Sequence, residues 1–146
     1  MLASEGLGDE ALEQLEVFID KFLKPNTLYA ESGPVIETPL AGASTLHEFY
    51  MQDWGDRLRI FHGCPAAWTD VSFRNMRAAG AFLVAAERKG GKTAEVKVLS
   101  EKGGICRLQT DMLPDEIKVS CNGKPVAFEV LPCPELDGTG SLIEFS

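Results

Sequence analysis

The hydrophobic period of this chain changes once, near Gly55, and that change limits what it can fold into. Upstream, apolar residues return every three or four positions, the spacing of a helix face; downstream they fall in short runs divided by glycine turns. Helices followed by strands are the expected outcome, an α+β chain with a helical hairpin leading into an antiparallel β-sandwich.

The first helix is predicted over 9–23. Leu12, Leu15, Ile19, Phe22 and Leu23 share a face, Asp9 and Glu10 occupy the first turn, and Lys24-Pro25 closes it. Val17 and Phe18 widen the apolar stripe, so this helix expects partners on two sides. After an irregular stretch with Gly33-Pro34 as a turn signal, Thr38-Pro39 opens a second helix. Its buried side is expected at Leu40, Ala43, Leu46 or His47, Tyr50 and Trp54, with Gly55 ending it.

Strands are predicted at 57–61, 71–78, 81–88, 93–100, 105–109, 117–120, 126–130 and 142–145. Lys89-Gly90-Gly91-Lys92, Lys102-Gly103-Gly104 and Asn122-Gly123 separate them, and Asn-Gly is the strongest short hairpin signal. Arg74, Met76 and Arg77 are expected to face outward between buried Phe73 and Phe82. Repeated hairpins at this spacing point to a sandwich.

The 146 residues suffice for one ordinary domain, or a small domain with a piece of another, and 45% hydrophobic with 25% charged residues describe a globular chain. A formal net charge of -8 argues against nucleic acid and against an anionic membrane surface as partners. The opening MLASEGLGDE has neither the basic nor the apolar region of a signal peptide, so the chain carries no export mark of its own. Cys64, Cys106, Cys121 and Cys133 are irregularly spaced and read as free, partly buried thiols. Without a Cys-x-x-C pair a structural zinc site is not expected, and nothing calls for a cofactor.

The run from Glu31 to Leu108 carries a combination of features. A helix is followed by Trp54-Gly55 and a strand, then by an aromatic-x-x-x-Pro-x-x-Trp loop at Phe61, Pro65 and Trp68. A strand pair holds Arg77, Gly80 and Phe82, and Gly103-Gly104-x-Cys106-Arg107 comes late. This resembles the C-terminal portion of bacterial proteins of glycoside hydrolase family 95, the α-L-fucosidase-like enzymes. The resemblance implies that residues 1–55 are the last helices of an (α/α)6 barrel and 56–146 a C-terminal β-sandwich domain. It further implies that the glutamic acid protonating the leaving group lies ahead of Met1. The family's base, an aspartate in Ile-Asp-Gly-Asn-Phe-Gly, corresponds to Glu37 in Ile36-Glu37-Thr38-Pro39-Leu40-Ala41, where Thr-Pro replaces Gly-Asn.

Two readings of Glu37 stand side by side. Inverting hydrolysis needs an ionised carboxylate across the sugar from a protonated acid, with water between them, and a helix start favours negative charge. The same preference places glutamates at helix starts that do no chemistry. Tyr29 and Glu31 are expected to line the same cleft as substrate contacts, although loop acids are usually only solvated. His47 reads as a core or interface residue, Cys64 as a packed loop thiol, and Trp54 and Trp68 as packing between the two halves.

The functional expectation is a C-terminal fragment of an inverting α-L-fucosidase-like glycosidase, inactive alone, with carbohydrate as partner of the complete protein. The competing expectation is a non-catalytic structural or carbohydrate-binding module that forms homo-oligomers through exposed helical faces. Relatives of this kind are often secreted or periplasmic, but the chain itself fixes no compartment.

Overall fold

The structure is a computed structural model, and it describes residues 2–25, 29–30 and 36–146. Among these residues two α-helices come first, α1 (Gly8–Phe22) and α2 (Glu37–Tyr50). Ten strands follow: β1 (Met51–Gln52), β2 (Leu58–Ile60), β3 (Val71–Ala78), β4 (Phe82–Lys89), β5 (Lys92–Ser100), β6 (Cys106–Thr110), β7 (Ser120–Cys121), β8 (Lys124–Pro125), β9 (Glu129–Leu131) and β10 (Ser141–Phe145). The α+β order expected from the change of period is the order found.

One sheet runs β1-β2-β6-β10-β9, a second β3-β4-β5, and β7-β8 form a separate hairpin. Leu58, Ile60, Leu108 and Ile143 from the first sheet meet Phe73, Phe82, Val84 and Ala86 from the second in a single core. Among the described residues every strand pairing is antiparallel except one: β2 and β6 run parallel, with Leu58 opposite Leu108. The exception has a topological cause. After β2 the chain builds the whole three-stranded sheet, then crosses back at Lys102-Gly103-Gly104 to lie beside β2 in the same direction. That glycine pair therefore joins the two sheets and is not a hairpin.

The other two turns are hairpins. Gly90 and Gly91, at φ +55° and +79°, connect β4 to β5 with Lys89 opposite Lys92. Asn122 and Gly123, at +51° and +76°, do the same for β7 and β8.

Two of the readings that the structure corrects concern α2 and β3. Helix α2 ends at Tyr50, not at Trp54, because Met51 and Gln52 leave the helix to pair with Ile60 and Arg59. Gly55 makes its turn between β1 and β2 instead. In β3 a bulge falls between Phe73 and Met76, with Asn75 in the left-handed region at φ +57°. The extra residue reverses the alternation, so Met76 turns inward against the core while Arg74 and Arg77 stay out.

Candidate functional site

The helical hairpin stands on the sandwich by its base. Asp9 at the start of α1 accepts a hydrogen bond through Oδ1 from the Ala66 N–H at 2.8 Å. Gly8 lies so close to the 61–68 loop that a Cβ there would meet the Gly63 carbonyl oxygen at 2.5 Å. Gln52 donates from Nε2 to the carbonyls of Ala3 and Glu48, at 2.8 and 3.0 Å, tying the N-terminal turn to β1. Ala3, Ala11, Leu15 and Phe49 fill the space between, with Phe49 fully buried and its ring edge-on to Trp68 at 5.4 Å. The expected place of Trp68, packing between the two halves, is where it lies.

From this base α1 runs outward and α2 runs back. Fourteen residues of α2 span about 20 Å at 1.5 Å per residue, so its first turn is far from the sheets. At that distal end Tyr29 stacks on Phe18 at 5.0 Å and leans on Phe22 at 5.6 Å, and it bridges to Leu23 through the backbone. Phe18 in turn lies over Gly42, where a Cβ would come within 3.1 Å of its ring. The hairpin is thus closed by one aromatic group from α1 and the return loop, seated on a glycine of α2.

Glu37 occupies the first position of α2 and is exposed. Its Oε2 accepts a hydrogen bond from the Ile36 N–H at 3.0 Å, one of the donors that a helix start leaves unpaired. Pro39, expected at the first helical position, falls two residues later, still within the turn where its missing N–H costs nothing. Of the three residues singled out for chemistry, Glu37 and Tyr29 share the distal end of the hairpin, and Glu31 lies outside the described residues.

Both helices leave apolar residues uncovered, and two of them flank Glu37. Ile36 is 72% exposed, Leu40 60% and Val17 58%, and Ile19, Leu23 and Leu46 are exposed too. The periodicity of α2 was expected to mark a buried side at Leu40, Ala43, Leu46 or His47; in the described chain that side faces outward, and Phe49 is the residue α2 buries. A hydrophobic period shows that a face is apolar, but not which neighbour covers it.

Sequence reasoning also missed a polar row on the outer face of the larger sheet. Gln52, Arg59 and Gln109 sit side by side across β1, β2 and β6, all buried. Arg59 donates from Nη1 to the Trp54 carbonyl at 2.6 Å and lies over the Trp54 indole, 3.5 Å from the ring centroid. Trp54 is therefore half exposed on an arginine, not packed between the halves. Burial holds the Arg59 guanidinium below its usual range, with neighbouring Arg57 adding to the effect. Arg57 reaches Gln109, Cys133 and Glu135 on the same face. The alternating Arg57-Leu58-Arg59-Ile60 was the available signal, since it puts both arginines on the face opposite the core.

His62 is half-buried, and burial lowers its pKa; the thiol of Cys64 is raised by the same cause. A partly buried thiol whose pKa is raised fits the packed loop cysteine that was expected. Among the described residues no three His, Cys, Asp or Glu side chains gather as metal ligands.

The family model described as glycoside hydrolase family 95, C-terminal domain, matches residues 52–136, more than half of the chain. The chain belongs to glycoside hydrolase family 95. No curated protein matches it. The match begins within β1 and runs through the sandwich as far as the turn before β10, so Trp54, Pro65, Trp68 and Gly103-Gly104 all lie inside it. Both helices, and Glu37 with them, lie ahead of the matched segment.

Proposed function

We propose that this chain forms the end of an inverting glycosidase acting on an α-linked deoxy or related sugar, in which Glu37 orients or deprotonates the attacking water. Residues 1–55 contribute the last helices of an (α/α)6 barrel, and 56–146 form the C-terminal sandwich that carries them. Tyr29 and Glu31 contact the sugar beside Glu37. The reading rests on one observation above the family match: α1 and α2 leave apolar residues uncovered along their length, and two of them, Ile36 and Leu40, flank Glu37 in the first turn of α2. An apolar surface of this kind calls for a covering partner, and further barrel helices would bring the opposing acid across from Glu37.

Two helices do not close a barrel of twelve, so the chain alone is inactive in this proposal. The test is hydrolysis of a panel of aryl glycosides, α-L-fucoside included, by the folded chain and by Glu37→Gln. No turnover from either is expected. Turnover by the chain alone that disappears in Glu37→Gln would keep Glu37 as the base and overturn the need for further helices. Turnover that survives Glu37→Gln would remove Glu37 from the chemistry.

A further inference from the structure

The three-stranded sheet ends on β5, and the backbone along that edge is open. Glu101 donates its N–H to the Ala81 carbonyl at 3.0 Å, and the β4–β5 register then sets Leu99, Lys97 and Glu95 as the residues whose backbone groups face β4. Those of Val96 and Val98 point the other way, off the sheet, and no described residue pairs with them. Near the start of β5 the edge is closed, because Asp111 takes the Thr93 N–H on both carboxylate oxygens at 3.1 and 3.4 Å. Beyond that point the inner side of the strand borders a groove of about 420 Å³, with Val96 and Val98 along one wall and Ile117 and Val119 along the other.

The outer face of the same strand carries one acid and one base two residues apart. Glu95 and Lys97 are both exposed and bridge each other at 2.9 Å. This order is self-complementary when the strand meets its own copy antiparallel.

We propose that β5 is a self-pairing edge: two copies of the chain join antiparallel about a two-fold axis at Val96, continuing one sheet through both. Val96 then meets Val96 of the second copy as a hydrogen-bonded pair, which uses the outward N–H and C=O groups on both sides. Glu95 stands opposite Lys97 of the second copy, and Lys97 opposite its Glu95, in the non-hydrogen-bonded positions where side chains come closest. Charge selects this register. An axis at Lys97 would set like charges face to face, and one at Val98 would set Lys97 against Leu99. The contact is isologous and closes at two copies. It uses a surface separate from the helical faces.

Sedimentation of the full chain over a wide concentration range tests it. A monomer–dimer equilibrium is expected, weakened about tenfold or more by Lys97→Glu or by Glu95→Lys, since each change makes both cross-strand pairs repulsive. Mixing the two variants restores association as a mixed dimer, because every pair again joins opposite charges. Both side chains are exposed, so circular dichroism of each variant matches the parent. A chain that stays monomeric to its solubility limit overturns the proposal, and Glu95 and Lys97 then serve to guard the edge. A dimer indifferent to both changes, or variants that fail to recombine, overturns it equally.

Discussion

Asp9 on α1 and Ala66 in the loop after β2 are joined by a hydrogen bond of 2.8 Å from the Ala66 N–H to the carboxylate. Fifty-seven positions separate them in sequence, and the bond ties the first turn of one half of the chain to the loop that carries Trp68. Asp9→Ala is expected to cost about 1–2 kcal/mol in urea unfolding, the range for a hydrogen bond to a charged group near solvent. Asp9→Asn keeps an acceptor oxygen and should recover most of that loss.

Gly8 gives a prediction opposite to helix propensity. Alanine in a helix is ordinarily favoured over glycine by about 1 kcal/mol. Here the added Cβ meets the Gly63 carbonyl at 2.5 Å and the Cys64 backbone at 2.8 Å, and backbone cannot step aside as a side-chain tip can. Gly8→Ala should therefore destabilise the chain by roughly 1–3 kcal/mol. A rise in melting temperature would show that the base of α1 is not docked as described.

Phe49 is the one large side chain that α2 buries completely, against Trp68. Phe49→Ala should cost about 3–5 kcal/mol, the range for emptying a buried aromatic site. The indole fluorescence of Trp68 should shift to the red while that of half-exposed Trp54 stays. Double variants with Trp54→Phe isolate the signal.

Glu37→Gln should leave stability within about 0.5 kcal/mol of the parent, as expected for an exposed site whose amide oxygen can still accept from the Ile36 N–H. Equal unfolding midpoints would make any change in turnover a statement about chemistry and not about folding.

Cys106 sets an alkaline limit. Burial raises its thiol from the ordinary 9.0 to about 11. The unfolded chain thus releases this proton before the folded one does. The thiol's contribution is complete below pH 9 and is lost as pH rises from about 9 to about 11, amounting to about 3 kcal/mol. Cys106→Ala should flatten that part of the stability profile. In the folded chain exposed Cys121 should react first with an alkylating reagent, and Cys106 last.

Where local chemistry decides the backbone, the sequence was readable. Lys89-Gly90-Gly91-Lys92 and Asn122-Gly123 place φ > 0 where their hairpins require it, and β3 to β5 fall within one residue of their expected bounds. Where a distant partner decides, it was not. Met51 continues the helical period of α2 as well as it begins a strand, and only the pairing with Ile60 distinguishes the two. The inward turn of Met76 depends on a bulge that alternation alone does not announce. Glu37 was legible as the acid at a helix start, but the same pattern serves capping and chemistry alike. Trp54 was misplaced because its support, Arg59, arrives from the next strand.

The direct passage from Tyr50 in α2 to Met51 in β1 has a mechanical consequence. With no linker between them, the helix behaves as a lever fixed in the sheet, and Glu37 rides at its tip. Over about 20 Å of helix, a tilt of about 3° at the foot displaces the tip by about 1 Å, a distance that would matter to the chemistry proposed for Glu37. The aim of the carboxylate is thus set by how firmly Phe49 and Gln52 hold the root, and substitutions in the sandwich would be felt at a group that none of them touches.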